Sequence, residues 1–395
     1  MDKTAVCIIK GNEFKGMEGE TAVRVMKRLL GEGSRSPDIF ELDKDSPLKT
    51  GDLRGYKGYD VFVILSGIIF VTPEGISALS DIAGKRTEFS LIAPVSNEGR
   101  VADQRCAPPF FYQTLSVFRW AAEDIHRQFK DTVVEADETD EYGFAFRKEL
   151  LGVLPEDRNV SDLPALMKQE GLKCGIARGV YAHRYGDCYE SSREDLMAYV
   201  PSEAREILDV GCAHGLFGER VKKRQECNVF GVEIDPSFLG IARNRLDGVL
   251  QGDIEHILAE GRLGTYDCIV CGDVLEHLNN PWNVVKGLRN HLTKGGLFIA
   301  STPNIMNWAI IFEQLMGRWD YVPFSILSGT HIRFFTKETC RELLEDAGFK
   351  IKEVRLQGFG VPPRGAEFIT VLKQALSGID EEEIKASEIV IVAER

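Results

Sequence analysis

Four acidic side chains stand where apolar runs give way to turns, and together they could line one ligand crevice. The run Ile207-Leu208-Asp209-Val210-Gly211-Cys212-Ala213-His214-Gly215 is the clearest. An apolar stretch closes on an acid, and glycines at 211 and 215 free the backbone for torsions and close approaches that a Cβ would block. The spacing D-x-G-x-x-x-G lacks the tight glycine triplet that seats a pyrophosphate on a helix N-terminus. A neutral or zwitterionic ligand fits it better, with Asp209 accepting from an ammonium group. Val229-Phe230-Gly231-Val232-Glu233 ends in a second acid 22 residues after Gly211, the place for a ribose diol. Gln251-Gly252-Asp253-Ile254 brings a third acid, placed to accept from an adenine amino group. The run from Tyr266 to Asp273 ends in a fourth.

Such acids converge only if neighbouring strands hold them side by side. The surrounding pattern supplies those strands: Glu206–Val210, Asn228–Glu233, a short strand ending at Gly252-Asp253, Tyr266–Cys271 and Gly296–Ser301. Helices are expected between them, over Ser192–Val200, from the glycine turn to Lys223, and after Pro236 and Pro281. Helix Lys337–Ala347 and strands Lys350–Leu356 and Glu388–Ala393 follow, the last two suited to antiparallel pairing. Upstream, Ala5–Ile9, Val61–Leu65, Ile68–Val71 and Ser90–Ala93 read as strands. Glu20–Leu30, Pro73–Ile82 and much of Phe110–Phe129 read as helix. Strands alternating with helices at this spacing predict an α/β protein with mostly parallel sheets. Its 395 residues suit two domains, 1–187 and 188–395, joined within Gly175–Tyr189.

An apolar content of 44% with 28% charged residues is globular. The net charge of −13 argues against a broad nucleic-acid or anionic-membrane footprint. Lys222, Lys223 and Arg224 read as the solvated end of a helix. Nine cysteines show no disulfide-scaffold spacing. Cys268 and Cys271 lie three apart in a strand and so point to opposite faces, which makes them buried thiols and not a metal pair. No apolar run reaches the ~20 residues of a membrane span, and the start leads directly into a strand. A cytoplasmic protein without an integral membrane segment is expected.

At these residues the chain resembles the class I S-adenosylmethionine-dependent methyltransferases, in particular the branch of the ubiquinone-biosynthesis O-methyltransferases. The likeness runs from about Tyr189 to Arg395. It includes Asp273-Val274-Leu275-Glu276-His277-Leu278, Leu292-Thr293-Lys294-Gly295-Gly296, Ser301-Thr302-Pro303-Asn304 and His331-Ile332-Arg333-Phe334-Phe335-Thr336. It implies a Rossmann-like seven-stranded sheet and S-adenosyl-L-methionine as cofactor. Asp209, Gly211 and Gly215 would line its methionine part, Glu233 would hold the ribose hydroxyls, and Asp253 with Ile254 would meet the adenine. Asp273 and Arg193 are further carry-overs. Ala213 departs from the family, which often has Gly there, and its small side chain should be tolerated.

Methyl transfer is an in-line displacement at a sulfonium, so positioning supplies much of the rate. The acceptor needs a base or must already be anionic, and His277 and His331 are the candidate bases. Asn304, Trp319, Tyr321 and His331 fall in the stretch that would cap the acceptor pocket. Some relatives bind a divalent metal through E-x-x-E-H, which Asp273, Glu276 and His277 match with Asp in first place. Spacing of i, i+3, i+4 would gather them on one helical face, where Mg²⁺ or Zn²⁺ could acidify a hydroxyl. The favoured reading assigns no metal.

Residues 1–187 are similar to a family-2, GT-A-type glycosyltransferase. Val6-Cys7-Ile8-Ile9-Lys10-Gly11-Asn12-Glu13, Pro73-Glu74-Gly75-Ile76, Gly143-Phe144-Ala145-Phe146-Arg147-Lys148 and Gly171-Leu172-Lys173…Val180-Tyr181-Ala182-His183 carry the likeness. Metal-dependent members have D-x-D near such a strand end, to hold the cation that neutralises a nucleotide-sugar diphosphate. Leu65-Ser66-Gly67-Ile68 stands there instead, so the domain reads as degenerate, binding glycan or organising the assembly. Asp162 and His183 could mimic the family's acid and its distal ligand, or be ordinary surface residues. The expected function is methylation of an oxygen, less so a nitrogen, of a small-molecule or glycan acceptor in a surface-polysaccharide pathway. A bifunctional glycosyltransferase–methyltransferase and a non-catalytic cofactor-binding scaffold are the rivals.

Overall fold

The inner strands of both halves, such as Thr4–Lys10, Val61–Ser66, Tyr266–Gly272 and Glu388–Glu394, are near-continuous buried apolar runs, as expected where a sheet is covered on both faces. The computed structural model describes residues 3–10, 17–31, 37–43, 48–99, 101–184, 191–323, 325–358 and 360–395. The chain divides into two compact units, one of residues 1–186 and 320–329, the other of residues 187–319 and 330–395.

The first unit holds β1 (Thr4–Lys10), β2 (Asp38–Asp43), β3 (Val61–Ser66), β4 (Ile69–Val71), β5 (Leu91–Ser96), β6 (Val133–Ala136), β7 (Gly143–Arg147) and β8 (Cys174–Arg184). They form one mixed sheet in the order β2-β1-β3-β7-β5-β8-β4, with β6 added on β8. β1 is parallel to both its neighbours, while β7 runs antiparallel to β3 and β5. Phe62 and Phe146 stack across β3 and β7 with ring centroids 5.6 Å apart, fixing that register from inside the core. Helices Met17–Gly31, Pro73–Lys85 and Leu115–Phe129 occur where periodicity predicts them. The second is started by Thr72, whose hydroxyl accepts from Gly75 N at 3.0 Å, with Pro73 in the first turn. Part of the first glycosyltransferase-like stretch, Gly11 to Glu13, lies outside the described residues, as do residues 185–189 of the predicted domain junction, while Gly175 to Arg184 of that junction is strand β8.

The second unit contains β9 (Glu206–Val210), β10 (Asn228–Glu233), β11 (Gly248–Gln251), β12 (Tyr266–Gly272), β13 (Leu292–Pro303), β14 (Lys350–Gln357) and β15 (Glu388–Glu394). Their order is β11-β10-β9-β12-β13-β15-β14. The first five are parallel, and β15 runs antiparallel to both β13 and β14. This is the expected seven-stranded layout, including the antiparallel final pair. Cys268 and Cys271 are fully buried and belong to different core clusters, as their three-residue spacing requires. The described cysteines are free thiols.

Helices that went unread in the sequence include Trp308–Leu315, Leu163–Gln169 and Ile254–Ala259. Another was overextended: Ser192–Val200 contains only Glu194–Met197 as helix, and at its start Arg193 takes a left-handed conformation, φ 43°, and cannot join it. Among the described residues no helix is long and apolar enough to cross a membrane.

Candidate functional site

The glycine turn after β9 is built from the neighbouring strand. Gly211 has φ 74°, and its N–H donates to Val232 O at 2.8 Å, tying the turn to the end of β10. A Cβ at Gly211 would meet Val274 Cγ2 at 2.6 Å, so this glycine also permits a close approach. Gly215, φ 75°, precedes helix Leu216–Arg224. Ala213 between them is left-handed as well, φ 45°. Small size alone does not make Ala an equal of Gly there, since that region costs a Cβ-bearing residue about 1–2 kcal/mol. The conformation is held by Glu233, whose Oε2 accepts from Ala213 N at 2.8 Å.

Asp209 and Glu233 thus lie beside one turn. Asp209 is 5% exposed, and its Oδ2 has no hydrogen-bond partner. Burial foremost, and then the Glu233 charge, push its carboxyl up to about 7. An incoming ammonium group would satisfy that oxygen and restore the charged form. Glu233 uses one oxygen on Ala213 and the other on Asp235 N, at 2.8 Å each, which locks its carboxylate at the end of β10. Asp253 is differently engaged: its Oδ1 accepts from Glu255 N at 2.8 Å and caps helix Ile254–Ala259. Ile254 beside it is buried at 5% exposure.

Asp273 and Arg193 form a second cluster. Arg193 pairs with Asp273, Asp195 and Glu388, and donates to Ser301 Oγ at 3.0 Å. Burial works against the Arg193 charge, but its carboxylate partners outweigh that and hold its pKa raised. Ser301 Oγ donates to Asp273 Oδ1 at 2.9 Å. Ser301 and Glu388 are members that sequence reading did not single out, because their partners lie 108 and 195 residues away. Arg193, Ala213 and Asp273 (φ 54°) are three of the five non-glycine residues with positive φ among those described. Backbone strain of this kind gathers where a site over-determines the chain.

Glu276 and His277 lie in a short 3₁₀ turn, Leu275–His277. The one-face helical set of Asp273, Glu276 and His277 therefore does not form, and Asp273 is committed to Arg193 and Ser301. His331 takes its place: Glu276, His277 and His331 bring ligand atoms within 4.8 Å of one another. The two imidazoles meet edge to face at 4.7 Å. His277 Nδ1 lies 3.1 Å from Thr330 O. A carbonyl only accepts, so Nδ1 carries the proton and Nε2 is the basic nitrogen. Glu276 is 1% exposed, and neither of its oxygens has a well-aligned hydrogen-bond partner. Burial first, and then the Asp273 charge, raise its carboxyl well above the usual range, with Thr302 offsetting part.

Of the stretch expected to cap an acceptor pocket, Asn304 is fully buried and structural. Its amide donates to Glu383 O and Ala386 O at 2.6 and 3.0 Å. Trp319 and Tyr321 are 39% and 41% exposed. In the first unit, His183 is tied by Nδ1 to the Tyr112 hydroxyl, and burial lowers it to about 4, a neutral ring. Asp162 is exposed, at the start of helix Leu163–Gln169.

Residues 181–354 match the family model described as a methyltransferase domain. The ubiquinone biosynthesis O-methyltransferase of Acinetobacter baylyi is 27% identical over 158 residues, 38% of this chain and 65% of that protein. Its counterpart in Xylella fastidiosa is 33% identical over 138 residues, 33% of this chain and 54% of that protein. The chain thus spans less than two thirds of these relatives' length. A solved S-adenosylmethionine-dependent methyltransferase of Archaeoglobus fulgidus covers 52% of this chain and 92% of its own, at 17% identity and a TM-score of 0.40. What these matches show is a likeness of residues 181–354 to the methyltransferase domain. S-adenosylmethionine is the cofactor that goes with it.

Proposed function

We propose that the chain transfers the methyl group of S-adenosylmethionine to an oxygen, less so a nitrogen, of a sugar-containing substrate of surface-polysaccharide synthesis. The observation that carries the cofactor reading is the buried, unpartnered oxygen of Asp209, set between the Gly211 turn and Glu233. When bound, the cofactor supplies an electrophilic methyl group on a positively charged sulfur. Asp209 would accept from its ammonium group and Glu233 from the ribose hydroxyls. Gly211 and Gly215 keep the turn open, Asp253 and Ile254 would border the adenine, and Arg193 and Asp273 hold the adjoining strand end. Through Nε2, His277 would take the acceptor's proton, with His331 orienting it or sharing that role. Oxygen as the acceptor atom is supported by the O-methyltransferase relatives.

The sugar comes from the first unit's resemblance. We read residues 1–187 as a degenerate GT-A-like domain that binds glycan or organises the substrate, and residues 188–395 as the methyltransferase domain. Ser66 and Gly67 at the end of β3 cannot hold a diphosphate-bound cation, which favours this over a bifunctional transferase. Free thiols support a cytoplasmic setting.

The test is to incubate the chain with labelled methyl donor and extracts of cell-envelope precursors, then identify the labelled product by mass. A methylated glycan is expected, with His277→Ala and His331→Ala slowing its formation about 10²-fold or more. Cofactor binding by calorimetry with no labelled product from any extract would instead make the protein a scaffold.

A further inference from the structure

β12 ends in a bend that few residues with a side chain adopt. The strand stays paired with β13 to its last residue, where Gly272 lies opposite Ser301. Asp273 then turns left-handed, φ 54°, a conformation in which the Cβ crowds the following carbonyl. The bend sends Val274 against the glycine turn of β9, since a Cβ on Gly211 would lie 2.6 Å from Val274 Cγ2. One residue on, the 3₁₀ turn Leu275–His277 begins, closed by His277 N donating to Val274 O at 3.0 Å. The torsions of Asp273 therefore decide where Val274 sits and where that turn starts.

Both the backbone and the side chain of Asp273 are held. Its N–H is shared between Ser301 O at 3.2 Å and Ser301 Oγ at 3.1 Å. Ser301 Oγ donates to Asp273 Oδ1 at 2.9 Å, and Arg193 pairs with Oδ2 while donating to the same hydroxyl at 3.0 Å. Arg193 is fixed in turn by Asp195 and by Glu388 on β15. Gln357 Nε2 ties those two carboxylates together, at 2.8 and 2.7 Å. Ser301 is fully buried, so water does not compete for its hydroxyl. A Cβ on Gly272 would meet Leu196 Cδ1 at 2.9 Å, so the segment that bears Arg193 also packs directly on the strand end. The Asp273 side chain keeps 43% of its surface exposed, and such a carboxylate needs no network for its solvation. What the network does is over-determine a strained backbone.

We infer that Ser301, Arg193 and Glu388 are positioning residues: they hold the left-handed bend at Asp273, and that bend seats Val274 on the Gly211 turn. Asp273 acts through its backbone. Its carboxylate is the handle by which the bend is held, and the cofactor draws no charge from it. This departs from the resemblance, which carries Asp273 and Arg193 over as cofactor contacts. It also separates Asp273 from Asp209, whose buried oxygen is left without a partner. The inference rests on the reading of the Gly211 turn as the cofactor's seat.

Substitutions at position 273 in the full chain separate backbone from charge. Asp273→Gly takes the left-handed bend without a Cβ penalty, and Asp273→Asn tolerates it and keeps an acceptor for Ser301; Asp273→Ala has neither advantage. Two readouts are taken: calorimetric affinity for S-adenosylhomocysteine, and the methyl NMR signals of Val274 in the unliganded protein. Asp273→Ala is expected to shift the Val274 signals and weaken S-adenosylhomocysteine about 5–30-fold. Asp273→Gly and Asp273→Asn should stay within about threefold of wild type. Ser301→Ala should cost about as much as Asp273→Ala in the wild-type background, and less than about twofold in an Asp273→Gly background. Equal losses in Asp273→Ala, Asp273→Asn and Asp273→Gly would overturn the inference, because the carboxylate itself would then be the ligand's partner. Unmoved Val274 signals in a folded Asp273→Ala chain would overturn it too. If Asp273→Ala does not fold, Ser301→Ala, alone and with Asp273→Gly, is judged by the same signals. A wild-type chain with no affinity for S-adenosylhomocysteine would defeat the cofactor reading, while the Val274 signals would still decide the bend.

Discussion

β3 in the first unit and β9 in the second end in the same way, yet only one of them carries an acid at that end. Each is a buried apolar strand followed by a glycine of positive φ, 79° at Gly67 and 74° at Gly211. Each glycine donates its N–H to the parallel neighbour, Gly67 to Ile9 O at 3.1 Å and Gly211 to Val232 O at 2.8 Å. Two residues before the glycine stands Leu65 in one unit and Asp209 in the other. The bend makes room for a ligand, and the acid gives that room something to bind. Similar backbones can thus end in side chains of different chemistry, and it is those side chains that a function has to be argued from.

Exchanging those two residues is the sharpest way to break the comparison. Leu65→Asp would put a carboxylate into a buried apolar strand, and should cost the first unit about 3–5 kcal/mol, read by thermal or denaturant unfolding. A cost below 1 kcal/mol would mean that the two turns are less alike than their hydrogen bonds indicate. Next in size is Asp209→Asn. It removes a charged acceptor and should weaken S-adenosylhomocysteine about 10–100-fold by calorimetry, with folding stability kept or raised.

A smaller and graded effect follows from pH. The folded Asp209 carboxyl titrates near 7, against about 4 in an unfolded chain. Between those values the folded state binds the extra proton, so this residue's contribution to stability is full below pH 4 and is lost as pH rises through 7. Ligand affinity moves the other way, because the ammonium group prefers the ionised carboxylate. Calorimetry from pH 6 to 8 should show tightening that Asp209→Asn abolishes; an unchanged slope in that variant would assign the pH response to another group. The smallest expected effect is none: chelation with EDTA should leave both melting temperature and methyl transfer unchanged. A drop in either would show that Glu276, His277 and His331 hold a cation.

The strand ends of the second unit were legible because their signal is local. An apolar run, an acid and a glycine within nine residues specify the turn at 207–215 without reference to anything distant. Asp253 shows the limit of such reading. The same acid at the same strand end also satisfies an N-cap signal, and in the fold its carboxylate is spent on Glu255 N. The Arg193 cluster and the His277–His331 contact were out of reach because their members are brought together across long stretches of chain. Left-handed Ala213 was missed for another reason: its conformation is imposed by Glu233 and runs against its own preference.

The placement of β15 bears on how the protein is made. This strand lies between β13 and β14, although both leave the ribosome before it. Until Ile389 to Val392 are synthesised, β13 carries an unsatisfied ladder on the side that β15 will occupy. A nascent or interrupted chain lacking those residues therefore offers a sticky apolar edge to other chains. Translation that stalls before Glu388 should yield inclusion bodies, whatever the state of the cofactor turn far upstream.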